Sequence, residues 1–447
     1  MKRLRILALA PDANPESIST SLVCYRHAEA LARLNSVTLV TRLSNEPALC
    51  RAEAPFSSIE TIGNGWLDHW VAWILRTVFK NDRHSRALTP FFYPMSIAFE
   101  RRAWKQMKTR IMAREFDVII RLSPINTVLP SAFSFFSRNS SVPMVLGPIN
   151  GGLPWPEGFS QIKNQKKPID RFRNLYRWMP FARSSYRRAA AIIAGSSKTY
   201  GEFAHHKAKL FFVPENGISS SLCSGEEPRG RGEKLELLFL GALVPYKACD
   251  LALRAAAPLL KSGLARFTIV GDGPERGRLE QLTKSLGVET EVSFCGMVPH
   301  GEAMQKLRSA DVLAFPSLRE FGGGVVFEAL AVGVVPVVAD FGGPGDIVHP
   351  RVGFKLPLTN EPDVIAQMEK VLTELAHDRN LLESMRKQGM VYARERLTWD
   401  TKAQDVTEIL RWVLGQGPKP DLRPPKEWTS DFSSSRENIA AYAGSRL

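Results

Sequence analysis

Asp311-Val-Leu-Ala-Phe315-Pro-Ser317-Leu-Arg-Glu320-Phe-Gly-Gly-Gly324-Val-Val-Phe-Glu328 is the stretch from which the fold is read. A short apolar run ends at Pro316, a glycine triplet follows, and an apolar run ending in Glu328 comes next, so a strand enters a loop that opens a helix. Glycines let the backbone approach a ligand closely, and free N–H groups with the helix dipole favour an anion there. Glu328 falls in the first turns of that helix, where a carboxylate can accept hydrogen bonds from vicinal hydroxyls such as those of a ribose. Glu320, on the loop at the carboxyl end of the strand, is placed for a second polyol. By itself a glycine-rich strand-to-helix turn carries little weight, because many α/β proteins use one only to turn the chain.

The neighbourhood adds to it. Val335-Pro-Val-Val-Ala339 reads as the next strand, with Phe341-Gly-Gly343-Pro-Gly-Asp346 as a second glycine loop at its end. Upstream, Phe239-Leu-Gly241-Ala-Leu-Val-Pro-Tyr-Lys247 ends a strand with a lysine able to meet a phosphate, and Val270-Gly271-Asp-Gly-Pro274 is a third strand-end turn. Ligands of open parallel sheets sit outside the carboxyl ends of the strands, where all of these fall.

Short apolar runs alternate with longer helical spacings along both halves, which predicts an α/β protein with two parallel sheets. In the first half the strands are expected at 5–9, 37–41, 117–121, 143–146, 191–194 and 211–213; in the second, at 237–240, 267–270, 292–294, 312–315, 335–339 and 353–356. The expected organisation is an N-terminal domain over 1–214, a C-terminal domain over 233–396, a helix over 397–414 packing back on the N-terminal domain, and an extended tail over 415–447. Trp399, Ala403, Val406, Leu410 and Val413 follow the four-three spacing of a helix with one buried stripe. Prolines 418, 420, 424 and 425 then interrupt any regular element.

With 447 residues, 44% apolar and 23% charged, the chain has the balance of a two-domain globular protein. Its five cysteines are scattered without a CxxC pair, which speaks against a disulfide framework or a zinc site and for a cytoplasmic setting. The apolar run after Met1-Lys-Arg ends at Pro11-Asp12 and reads as a first strand, not a signal peptide, and 70–79 falls short of a membrane span. The formal charge of +14 is lopsided: residues 1–200 hold 29 Lys and Arg against 13 Asp and Glu, or +16, leaving −2 for the rest. Arg101, Arg102, Lys105, Lys108, Arg110 and Arg114 form one basic stretch; Lys163, Lys166, Lys167, Arg171, Arg173, Arg177, Arg183, Arg187 and Arg188 form another. Aromatic residues accompany both, which suits an anionic, partly apolar surface such as lipid headgroups and a peripheral membrane location, the alternative being a solvated basic face. No nucleic-acid-binding pattern accompanies the charge, and none of the eight histidines forms a metal motif.

In these pieces and their order the second half resembles family four of the retaining glycosyltransferases. The likeness covers roughly 235–356: the Gly241–Lys247 turn, the Val270–Glu275 turn, Val292-Ser-Phe-Cys-Gly296, the Glu320–Glu328 pair with seven residues between, Ala331–Pro336, and Gly342-Gly343. The resemblance implies a GT-B fold of two Rossmann-like domains facing across a cleft, a nucleoside-diphosphate-sugar donor, a retained anomeric configuration, and neither cofactor nor metal. Carried over, Glu328 holds the ribose, Glu320 the donor sugar and Lys247 the diphosphate. Gly241, Gly271, Gly296, Phe321, Gly322, Gly323, Gly324 and Val325 line the donor, and Lys247 and Glu320 are the candidate catalytic residues.

Three departures from the family pattern stand out. Ala242 occupies the place of a second phosphate cation, for which Arg319 or a basic residue of the first half is the candidate replacement. Pro11–Thr20 replaces an N-terminal glycine pair. Asn150, in Pro143–Gly152, stands near the place of a histidine that many members carry. Asn150-Gly151-Gly152 at a strand end is a candidate acceptor-side contact, or else a structural turn with Trp155 in a local core. The expected function is transfer of a sugar to a saccharide or lipid-linked acceptor in envelope or exopolysaccharide biosynthesis, with a non-catalytic nucleotide- or saccharide-binding relative as the alternative.

Overall fold

The apolar runs become strands of two parallel sheets in the computed structural model, which describes residues 2–17, 20–63, 65, 89–122, 125–126, 130–151, 153–156, 158–159, 179–224 and 232–424. The first sheet contains β1 (Arg5–Leu9), β2 (Ser36–Arg42), β3 (Ser58–Ile62), β4 (Val118–Arg121), β5 (Ile125–Asn126), β6 (Met144–Asn150), β7 (Ala191–Ala194) and β8 (Leu210–Phe212). Its order is β3-β2-β1-β4-β6-β7-β8, with β5 beside β6. The second contains β9 (Leu235–Leu240), β10 (Ala265–Val270), β11 (Val292–Gly296), β12 (Val312–Phe315), β13 (Val335–Ala339) and β14 (Phe354–Leu356), in the order β11-β10-β9-β12-β13-β14. The second order runs outward from β9 in both directions, so β9 and β12 flank a topological switch point, the place where such sheets leave room for a ligand.

The described residues fall into two compact units, one from 1–152, 166–217 and 399–424, the other from 153–165 and 218–398. In the first unit the strand period of two decides which core each side chain enters: Ile6 and Ala8 join one face, Leu7 and Leu9 the other. Both faces are covered, which is why residues 6–9 of β1, 118–120 of β4 and 191–194 of β7 are apolar runs. The second unit has a single large core around Leu237, Phe239, Phe267, Leu313 and Val337.

Two strands fall outside the sequence expectation. In β3 only Ile62 is buried, so its pattern carries little burial signal, and β5 is a two-residue pairing. The helix Trp399–Val413 belongs to the first unit, where Trp399, Ala403, Val406 and Leu410 are buried and Arg33 of the helix Thr20–Leu34 meets Asp400 at 2.6 Å. Beyond it the chain is extended but held: Leu422 O accepts from Phe212 N at 2.8 Å, and Lys419 Nζ donates to Ala208 O at 2.8 Å. Residues 425–447 and the stretch 70–79 lie outside the described residues. Among the described residues, no helix is long and apolar enough to cross a membrane.

The Trp399–Val413 helix also buries Lys402, which is 1% exposed and whose amine burial pushes down to about 7. Beside it His27 packs edge-on to Trp399, its Nε2 2.8 Å from Glu215 O, and burial pulls its imidazole down to about 4. Between pH 6.5 and 4 the unfolded chain therefore binds a proton at His27 that the folded chain refuses. Stability is lost as pH falls through this window, by roughly 3 kcal/mol in all. Lys402 is protonated in both states over most of that range and adds little slope there. Melting midpoints measured from pH 7.5 to 5 should fall more steeply for the wild type than for His27→Gln, and equal slopes would refute the assignment.

Candidate active site

β9 ends at Leu240 and the chain passes Gly241 into the single helical turn Pro245–Lys247. β12 ends at Phe315 and passes Ser317 and Leu318 into the Glu320 loop. The two exits are joined by backbone: Leu318 N donates to Tyr246 O at 2.9 Å, with Ser317 Oγ at 3.4 Å from the same oxygen. This seam brings together two side chains 73 positions apart, and Lys247 Nζ forms an ion pair with Glu320 Oε2. Their side chains are 16% and 19% exposed, dry enough for the pair to be stronger than a surface salt bridge. Lys247 Nζ also lies 4.9 Å from the Phe315 ring centroid, a cation–π contact from below.

Glu320 is held at three points. Besides Lys247, its Oε1 accepts from Gly323 N at 3.2 Å and its carbonyl accepts from Gly343 N at 3.1 Å. Gly323 has φ +60°, and a Cβ there would stand 2.9 Å from Pro344 Cγ, so both backbone and space require glycine. The helix Gly324–Ala331 starts immediately after it without a side-chain cap. Val326 N finds Gly323 O at 2.8 Å, whereas the N–H groups of Gly324 and Val325 have no intrahelical acceptor. The loops after β12 and β13 touch, since a Cβ on Gly343 would lie 2.2 Å from Phe321 O and 3.0 Å from Gly322. A cation and a helix N-terminus thus open at the switch point beside a carboxylate, an arrangement that can hold a phosphate next to hydroxyl groups.

Glu328 sits within that helix, half-buried, with no hydrogen bond or ion pair among the described residues. Burial raises its carboxyl above the ordinary range, and His300 works in the opposite direction. A partly dry carboxylate without a partner is a strong acceptor for hydroxyl donors.

Gly241, Gly271 and Gly296 do other work. Gly241 N donates to Val270 O at 3.0 Å and Gly271 N to Gly296 O at 2.8 Å, so the first two amides extend the ladder. A Cβ on Gly271, whose φ is +134°, would stand 2.0 Å from Gly241 O. These glycines bring strand ends together, and their contribution to a ligand is room, not hydrogen bonds. Arg319, the candidate for the cation missing at Ala242, is engaged within the second unit: its Nε donates to Leu153 O at 3.1 Å and its guanidinium lies 5.2 Å from the Trp155 ring centroid.

In the first unit Asn150 ends β6, its Nδ2 donating to Glu215 Oε2 at 3.2 Å, and Gly151 N donates to Thr199 Oγ1 at 3.0 Å. Gly152 lies outside the described residues, as do Lys163 to Arg177 of the second basic stretch. The Tyr246 seam, the Phe315 ring under Lys247 and the Arg319 contacts have no signature in the sequence, because each joins positions far apart and leaves no local pattern.

Residues 226–390 match the family model for Glycosyl transferases group 1, and that segment holds Gly241, Lys247, Gly271, Gly296 and the whole stretch from Glu320 to Glu328. An uncharacterized glycosyltransferase of Methanocaldococcus jannaschii is 33% identical over 180 residues, 40% of this chain and 45% of that protein. D-inositol 3-phosphate glycosyltransferase of Streptomyces griseus is 31% identical over 223 residues, 45% of this chain and 46% of that protein. The chain thus spans less than half the length of these curated relatives. Solved structures share the fold over most of the chain: Anabaena HepE in complex with UDP at TM-score 0.59, 18% identity, 92% of this chain and 100% of that one. Sucrose-phosphate synthase from Thermosynechococcus elongatus gives 0.56 and 15%, over 93% and 100%. The expected architecture, two parallel α/β sheets with flanking helices, is the fold of these glycosyltransferase structures.

Proposed function

We propose that the chain, starting from its glycosyl transferases group 1 segment, is a retaining enzyme that moves a sugar from a nucleoside-diphosphate donor to a saccharide or lipid-linked acceptor. The observation that carries this reading is the Lys247–Glu320 pair at the switch point, next to the helix N-terminus that leads to Glu328. Departure of a nucleoside diphosphate builds negative charge, and a lysine with oriented N–H groups stabilises it as a metal ion does elsewhere. Glu328 accepts from the ribose, Glu320 from the donor sugar, and the departing diphosphate oxygen takes the acceptor proton on the face where attack occurs. Neither a protein nucleophile nor a metal is then needed. That Anabaena HepE has been solved with UDP and with UDP-glucose supports a nucleotide-sugar donor here.

Incubation with a panel of UDP-, GDP- and other nucleotide sugars, read by melting temperature and nucleotide release, tests the reading. Stabilisation by one donor class with release on adding acceptor is expected; no response to any donor would end it, and stabilisation without release would favour a non-catalytic binder. Glu328→Ala should weaken nucleoside-diphosphate affinity by roughly 10- to 100-fold, the worth of a hydrogen bond to a charged acceptor, as calorimetry would measure.

The acceptor is proposed to be membrane-presented, in envelope or exopolysaccharide assembly. On the helix Thr89–Met112 the exposed Arg101, Lys105 and Lys108 share one face, with exposed Arg114 just beyond, while Arg110 is taken up by Glu60 and Glu115. Flotation with liposomes should rise with anionic lipid content and fall with salt. Binding indifferent to both would remove this part of the proposal.

A further inference from the structure

We propose that Arg319 is a positioning residue for the donor site, clasping the segment Leu153–Phe159 and so fixing the loop that carries Glu320. The inference rests on the donor-site reading above. In the chain this segment follows β6, yet its described residues belong to the second unit. Two anchors hold it there. At one end Phe159 is 1% exposed in the second unit's core, and a Cβ on Gly158 would stand 1.9 Å from Thr359 O. At the other, Arg319 Nε donates to Leu153 O at 3.1 Å while its guanidinium lies over Trp155.

The near anchor lies against the glycine loops. A Cβ on Gly342 would come within 2.6 Å of Leu153 Cδ1 and 2.2 Å of Glu320 O, so the Leu153 side chain fills the corner where the two loops cross. Glu320 O in turn accepts from Gly343 N. On the other flank Leu318, fully buried, is pinned to Tyr246 O, one residue from Lys247. The two residues before Glu320 in the β12 exit are thus fixed independently, Leu318 from the β9 turn and Arg319 from the 153–159 segment. Glu320 keeps its three contacts because its backbone has little latitude to rotate away from them.

Only arginine does both tasks at position 319. A planar guanidinium stacks on an indole while its Nε donates sideways; a lysine ammonium retains the charge but cannot combine the two geometries. The clasp acts on the sugar end of the site, since Glu320 is proposed to hold the sugar and Glu328 the ribose. Its loss should therefore slow the chemical step and leave nucleotide affinity in place. A misplacement of about 1 Å at a reacting centre costs up to about a hundredfold in rate.

The variants are Arg319→Lys, Trp155→Ala and Trp155→Phe in the full chain. Expected is a roughly 10- to 100-fold fall in kcat for the first two, nucleoside-diphosphate affinity within about twofold of wild type, and recovery of most of the rate in Trp155→Phe, which keeps an aromatic face. Hydrogen exchange read at peptides covering 153–159 should quicken in Arg319→Lys without change in β9, β10 or β12. Unaltered exchange at 153–159, or a kcat close to wild type in the first two variants, would overturn the proposal. So would a joint loss of kcat, nucleotide affinity and protection throughout the second unit, which marks a merely structural contact. The exchange measurement needs no donor, so a wild type that binds no nucleotide would sink the proposed function while the clasp itself is still decided.

Discussion

Replacing Lys247 by alanine is expected to lower turnover at saturating donor by roughly 10²–10³-fold, the usual cost of removing one preorganised group that stabilises developing negative charge. The magnitude follows from where the amine sits. It is partly dry, lies over the Phe315 ring, and is held at the switch point by Glu320, so little reorganisation separates the resting site from one that receives a diphosphate. Two further consequences sharpen the test. Without the amine, Glu320 faces the incoming diphosphate uncompensated, so donor affinity should also weaken, though by less than turnover. Lys247→Arg, which retains the charge, should retain more activity than Lys247→Ala. Initial rates over a range of donor concentrations separate the two effects; turnover within threefold of wild type in the alanine variant would remove Lys247 from the chemistry.

Glu100→Ala is expected to be among the most destabilising single changes in the first unit, at about 3–5 kcal/mol. Arg121, the last residue of β4, forms a 2.6 Å ion pair with Glu100 of the helix Thr89–Met112, and the two side chains are 4% and 2% exposed. The other carboxylate oxygen accepts from Ser131 Oγ at 3.2 Å and Phe133 N at 2.9 Å. Removing the carboxylate leaves a guanidinium in the core whose remaining side-chain partner among the described residues is Ser96 Oγ, 3.4 Å away. A fall in the melting midpoint relative to wild type measures the loss. The double change Glu100→Leu with Arg121→Met should recover much of it, because the cost lies in the unpaired charge and not in the absence of the pair. A Glu100→Ala midpoint equal to wild type would show that water reaches this site.

The parts of the fold that could be read beforehand are those whose environment is uniform. β12 and β13 are buried along their whole length, so each is an apolar run with proline, glycine or charge close by, and each begins and ends where the residues alone place it. β3 was not legible for the opposite reason: a strand with one buried side chain in five has no alternation to detect. At the candidate site the individual residues were visible, since glycine loops and carboxylates at strand ends have a local signature. Their pairing was not. Nothing near Lys247 announces Glu320, and nothing near Arg319 announces Leu153; both depend on which strand lies beside which, a property of the assembled sheet. Lys402 shows the same limit inside the core, a charged residue on a helix whose apolar stripe predicted the burial of its neighbours alone.

The return of residues 399–424 to the first unit has a consequence for the order of folding during synthesis. The segments of the second unit's core are complete once the ribosome has passed residue 398, whereas Trp399, Ala403, Val406 and Leu410 are still missing from the face formed by Ile6, Ala8 and Val118. The unit that comes later in the sequence is therefore the first able to finish folding, and the unit begun first waits with one side of its sheet open. A fragment ending near residue 217 inherits that open side permanently, and the peptide 399–424 supplied separately is the piece that would close it.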